Sequence, residues 1–106
     1  MACTDLHPGK ELMMLEKEIE RKFVREIQLM GGKAVKFVSP GYDGMPDRLV
    51  LIPGGHVAFV ELKRPGEKPR KLQEARHKML RKLGFKVYVL DNKEKIGGII
   101  DEIRGT

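Results

Sequence analysis

A chain of 106 residues with 41% hydrophobic content can build one small core and is too short for two domains. Lys and Arg number 21 against 15 Asp and Glu, and the net charge of +6 favours a polyanionic partner through phosphate contacts. The single cysteine, Cys3, excludes an intramolecular disulfide and fits a reducing compartment. No apolar stretch approaches the ~20 residues that span a bilayer. The opening MACTDLHPGKELMM is too polar for a signal peptide, so the expected location is cytoplasmic.

In chain order, residues 1–9 contain His7-Pro8-Gly9 and read as a loose arm. From about Lys10 to Met30, Leu12, Leu15, Ile19, Phe23, Ile27 and Met30 recur at steps of three and four, which predicts an amphipathic helix. Gly31-Gly32 stops it. Ala34 to Val38 reads as a first strand and ends at Ser39-Pro40-Gly41. A second runs from about Asp47 to Ile52 into the turn Pro53-Gly54-Gly55. The third, His56 to Lys63, is apolar on both faces at Ala58-Phe59-Val60 and is therefore expected in the middle of a sheet. Lys71 to Leu83 is helical, Phe85 to Leu90 is a fourth strand, and Ile96 to Ile103 is a short final helix weakened by Gly97-Gly98. The order α-β-β-β-α-β(-α) predicts one layered α/β domain over residues 1–106.

Charges interrupt this pattern in "GMPDRLVLIPGGHVAFVELKR", Gly44 to Arg64. Folding the second and third strands about Gly54 pairs Leu51 with Val57, Leu49 with Phe59 and Asp47 with Glu61. Opposed side chains in such a ladder lie ~5 Å apart, so two carboxylates repel unless a cation separates them. A slip of one residue would send Asp47 to the other face. Lys63 follows Glu61 by two residues and shares its face. Two carboxylates beside an ammonium suit Mg²⁺ or Mn²⁺, ions that ease deprotonation of water and offset charge developing on a phosphoryl group. For a bare Asp…Glu-x-Lys pattern, an ordinary strand start with a surface salt bridge is the commoner explanation, and here the flanking apolar runs and the symmetry about Gly54 bring the metal site level with it. Both readings stand on this evidence.

Pro46-Asp47 with Glu61-Leu62-Lys63 resembles the PD-(D/E)XK nuclease signature. The fuller pattern "SPGYDGMPDRLVL…GGHVAFVELKRPG…LQ…LGFKVYVLD" resembles the VRR-Nuc family, especially its small stand-alone phage and bacterial members. The resemblance implies a restriction-endonuclease-like αβββαβ core with a mixed central sheet flanked by helices, and divalent-metal-dependent cleavage of DNA phosphodiesters. It makes Asp47 and Glu61 metal ligands with the Leu62 backbone carbonyl, Lys63 the catalytic lysine, and Gln73 a further active-site residue. It also asks for an acid on the first helix, where Glu16, Glu18 and Glu20 stand. Glu20 is placed first because it shares a stripe with Val24 and Ile27, and Glu16, one turn away, second. Stand-alone members imply a homodimer acting on branched DNA such as four-way (Holliday) junctions, in the cytoplasm of a bacterial host if the chain is phage-encoded. The alternative is a non-catalytic nucleic-acid-binding module on the same fold.

Beyond the signature, Lys68, Arg70 and Lys71 lie in the basic run after the third strand and are placed to grip phosphates. Arg48 points away from Asp47 by strand alternation, toward an acidic partner or a phosphate. Tyr42 is either a stacking platform for an unpaired base or an anchor for its loop. His7, His56 and His77 show no metal-ligand spacing and read as bystanders. "GGK" at Gly31 to Lys33 is too short for a nucleotide-binding loop, so no nucleotide cofactor is expected.

Overall fold

A computed structural model describes residues 8–105. Helix α1 spans Pro8–Leu29, followed by strands β1 (Lys33–Lys36), β2 (Arg48–Ile52) and β3 (His56–Leu62), helix α2 (Lys71–Lys82), strand β4 (Lys86–Leu90), a 3₁₀ turn (Lys93–Lys95) and helix α3 (Ile96–Arg104). This is the expected α/β order. The sheet is mixed: β1–β2–β3 run antiparallel, and β4 lies parallel to β3 after the α2 crossover.

Helix α1 starts at Pro8, so the arm expected over residues 1–9 gives up its last two positions to the helix. Proline suits a first helical turn because its missing N–H has no partner to lose there. The rest of that arm, with Cys3 and His7, lies outside the described residues. Ile19, Phe23 and Ile27 are at most 2% exposed, whereas Leu15 on the predicted stripe stays half-exposed. The described buried core meets α1 only from Ile19 onward.

The β2–β3 hairpin turns through Gly54 and Gly55 and pairs Leu49 with Phe59 and Leu51 with Val57, the register inferred from Gly54. That register separates two faces. Val50, Ile52, Ala58, Val60 and Leu62 join α1 and α3 in the larger core. Phe59 and Val87 meet Leu80 of α2 in a smaller one, with Leu49, Phe37 and Met79 packed around it. Glu61 and Lys63 fall on the α2 face by the same alternation.

The segment between β1 and β2 is fastened to α2. Gly44 has φ 90°, and a side chain there would sit 2.9 Å from the Leu72 side chain, so only glycine allows the approach. Arg76 Nε donates to the Asp43 carbonyl at 2.8 Å, and its guanidinium lies 3.8 Å over the Tyr42 ring. This seating delivers Pro46 and Asp47 to the start of β2.

Candidate active site

Asp47 stands one residue before β2, where the ladder has already ended. Its Oδ2 accepts the Leu62 N–H at 2.7 Å, tying the mouth of β2 to the end of β3. Strand alternation turns the Leu62 carbonyl to the same edge, since Lys63 donates its own N–H the other way, to Leu90. The Leu62 side chain points into the α1 core. Asp47 itself is exposed.

Glu61 is the opposite case. Its side chain is 1% exposed, and Lys63 beside it is also buried. Gln73 Nε2 donates to Glu61 Oε2 at 3.1 Å, His77 Nε2 lies 3.2 Å from Oε1, and Lys63 Nζ is 4.0 Å from Oε2. Gln73 and His77 are four residues apart on α2 and so project from one face toward β3. The Gln73 amide is held at its other end by the Arg70 N–H, which donates to Oε1 at 2.8 Å. Helix α2 thus clamps Glu61 from its first two turns.

Burial, followed by the adjoining Asp47 carboxylate, pushes the Glu61 carboxyl up to about 8, against a smaller opposing pull from Lys63. Burial, with Arg81 and Lys63 nearby, pushes His77 down, so its imidazole is neutral near pH 7 and offers a dipole rather than a countercharge. Ionising both groups would therefore set two like charges against one another, with one lysine, 4.0 Å from Glu61, to balance them. A divalent cation would relieve that repulsion, and the oxygens of Asp47, Glu61 and the Leu62 carbonyl are the hard donors such an ion takes. Among the described residues no three His, Cys, Asp or Glu side chains gather into a metal cage. Mg²⁺ needs only one or two protein carboxylates and completes its shell with water and substrate oxygens.

A cleft of about 310 Å³ opens beside Asp47, with Glu16, Glu20 and Lys36 on its walls. The two helix acids differ. Glu20 Oε2 receives Arg48 Nε at 3.0 Å and Nη2 at 2.9 Å, while Arg48 Nη1 donates to the Ala34 carbonyl at 2.7 Å. Arg48, expected among the phosphate-contacting residues or in an acidic pair, is committed to the pair. Glu16 has a long contact of 3.9 Å to Arg64 Nε. Burial and then the carboxylates of Glu67 and Asp47 push its carboxyl up. Glu16 therefore feels the field of the Asp47 cleft.

Lys68, Arg70 and Lys71 are exposed at the approach to α2. Tyr42 is held by Arg76 as an anchor for its loop, with 42% of its surface still exposed. Sequence reasoning missed His77, read there as a bystander. Its four-residue spacing from Gln73 was the available signal.

No protein-family model matches the chain. A curated relative described as "Putative nuclease p44", from Acyrthosiphon pisum secondary endosymbiont phage 1, is 49% identical over 82 residues, covering 77% of this chain and 88% of the relative. A solved structure described as "VRR_NUC domain" superposes with a TM-score of 0.78 at 30% identity, covering 82% of this chain and 95% of that one. No described helix is long and apolar enough to cross a membrane.

Proposed function

Because the chain belongs to the VRR-Nuc family of nucleases, we propose that it is a divalent-metal-dependent endonuclease that cuts branched DNA, four-way junctions included, as a homodimer. The observation that carries this reading is the convergence of Asp47, buried Glu61 and Lys63 at one end of β2 and β3. Asp47, Glu61 and the Leu62 carbonyl would hold Mg²⁺ or Mn²⁺. When bound, such an ion supplies positive charge against the scissile phosphate and makes water easier to deprotonate.

The chain's own groups do the rest. Lys63 sits with its ammonium beside Glu61, where it can orient the attacking water and steady charge on the phosphate. Gln73 and His77 hold Glu61 in one orientation, so the carboxylate does not reorganise when substrate arrives. Glu16 is the helix acid best placed electrostatically to act beside Asp47, and Glu20, paired with Arg48, supports the wall of the same cleft. Lys68, Arg70 and Lys71 contact backbone phosphates and set position without reading sequence.

The homodimer reading is supported by the part of the α2-side sheet face that α2 leaves bare. Val35, Leu51 and Val57 share that face and are each about 40% exposed, next to Phe85, whose ring meets Phe59 edge-on at 5.9 Å. A two-fold contact through this patch buries apolar surface and supplies two clefts, one for each of two strands.

The test is a cleavage panel of four-way junction, flap, nicked and linear DNA, with Mg²⁺, with Mn²⁺ and with EDTA, comparing wild type with Asp47→Ala and Lys63→Ala. Metal-dependent cutting of branched DNA by wild type alone is expected. Tight DNA binding without cutting under either metal would favour a non-catalytic binding module. Equal cutting by all proteins would reject the site.

A further inference from the structure

Helix α1 carries five acids, and four of them are engaged: Glu16 with Arg64, Glu18 with Lys93, Glu20 with Arg48 and Glu26 with Lys22. Three of its cations are placed differently. Lys17, Arg21 and Arg25 are exposed and take part in no ion pair among the described residues. They recur every four residues and so form one stripe along the helix. That stripe forms one wall of a groove of about 640 Å³, with Val24 in its lining and Arg48 on its far side.

Three positions make the groove more than a solvated helix face. First, Glu20 lines both this groove and the cleft beside Asp47, so the two adjoin at that side chain. Second, Glu20 is neutralised by Arg48, so the acid at the junction does not repel an incoming polyanion. Third, four-residue steps at ~1.5 Å rise set the cations ~6 Å apart, and the stripe spans ~12 Å. That spacing is close to the separation of neighbouring phosphates along one DNA strand, so the stripe offers one cation to each of about three of them. Guanidinium groups, with planar paired donors, suit phosphate oxygens.

We propose that the Lys17–Arg21–Arg25 groove is a second phosphate track, which takes the backbone of a duplex DNA arm leading into the catalytic cleft. It lies on the α1 side of the sheet, opposite the basic approach to α2, so the substrate is gripped on both sides of the scissile bond. The inference rests on the nuclease reading above and adds where one arm of the substrate runs.

The test is binding of labelled duplex DNA in EDTA across a salt series, which separates binding from cutting. Wild type, R21A/R25A, R21K/R25K and Lys17→Gln are compared, with thermal unfolding run on each. The slope of log affinity against log salt should fall by about 2 in R21A/R25A and by about 1 in Lys17→Gln. R21K/R25K should keep the wild-type slope, because it keeps the charge. Wild-type slope and affinity in Lys17→Gln, or in a folded R21A/R25A, would overturn the groove and leave the nuclease reading intact. A wild type that neither binds nor cuts DNA would overturn both.

Discussion

Nε2 of His77 lies 3.2 Å from Oε1 of Glu61, and neither residue is more than 2% exposed. With Glu61 ionised, a neutral imidazole carrying its proton on Nε2 donates to that oxygen and fixes the direction of the remaining lone pairs. Partners of this kind usually account for 10–100-fold in metal affinity. His77→Leu should therefore weaken Mn²⁺ binding by about 10–100-fold in calorimetry, while His77→Gln, which keeps a donor, retains most of it. Unchanged affinity in His77→Leu would make the histidine a packing residue only.

Glu61 should show opposite effects on stability and activity. Burying a charge near another carboxylate costs stability that an isosteric amide avoids. Glu61→Gln should abolish cleavage yet leave the metal-free protein at least as stable as wild type at pH 8, measured by thermal unfolding. A strongly destabilised Glu61→Gln would mean the carboxylate is needed for the fold.

The same residue sets a pH dependence. Its carboxyl is raised from 4.5 to about 8 on folding, so the native state holds a proton that the unfolded chain has released. The stabilising contribution is complete below pH 4.5 and is lost as pH rises through about 8. Metal-free wild type should lose stability across this window relative to Glu61→Gln. Added Mn²⁺ should restore more stability at the upper end, where metal no longer competes with the proton. Parallel pH curves for the two proteins would contradict the assignment.

Arg48 joins β2 to Glu20 of α1 through two charge-assisted hydrogen bonds and to the Ala34 carbonyl of β1 through a third. Arg48→Ala should cost about 2 kcal/mol in denaturant unfolding, and the double variant with Glu20→Ala less than the sum of the singles. Glu16 has a looser, half-exposed partner, so Glu16→Gln should change stability by less than about 1 kcal/mol. Its cleavage rate should fall by about tenfold or more, a barrier change of about 1.4 kcal/mol. Full activity in Glu16→Gln would move the helix-acid role to Glu20.

Leu51 lies opposite Val57 on the open sheet face. Leu51→Asp places a charge in the patch without touching either core, and light scattering should then report a monomer where wild type is a dimer. A monomeric wild type would remove the two-cleft arrangement.

Much of this was legible in the sequence because it is local. A two-glycine turn and alternating apolar residues set the register that brings Asp47 and Glu61 together, and a period of two places Lys63 beside them. What was hidden depends on how separate elements rotate against each other. Nothing near Arg48 in the chain announces Glu20, 28 residues away, because their meeting follows from how α1 lies on the sheet. His77 reads as one more helix residue until α2 packs over β3. The exposure of Leu15 has the same origin: helix period marks a stripe but not where the core beneath it stops.

Anomalous diffraction from crystals grown with Mn²⁺ tests the central claim most directly. The account predicts a manganese peak bounded by a carboxylate oxygen of Asp47, one of Glu61 and the Leu62 carbonyl, within Lys63's neighbourhood. Well-ordered crystals with no peak there, or with Asp47 and Glu61 turned to opposite faces of the sheet, would contradict it.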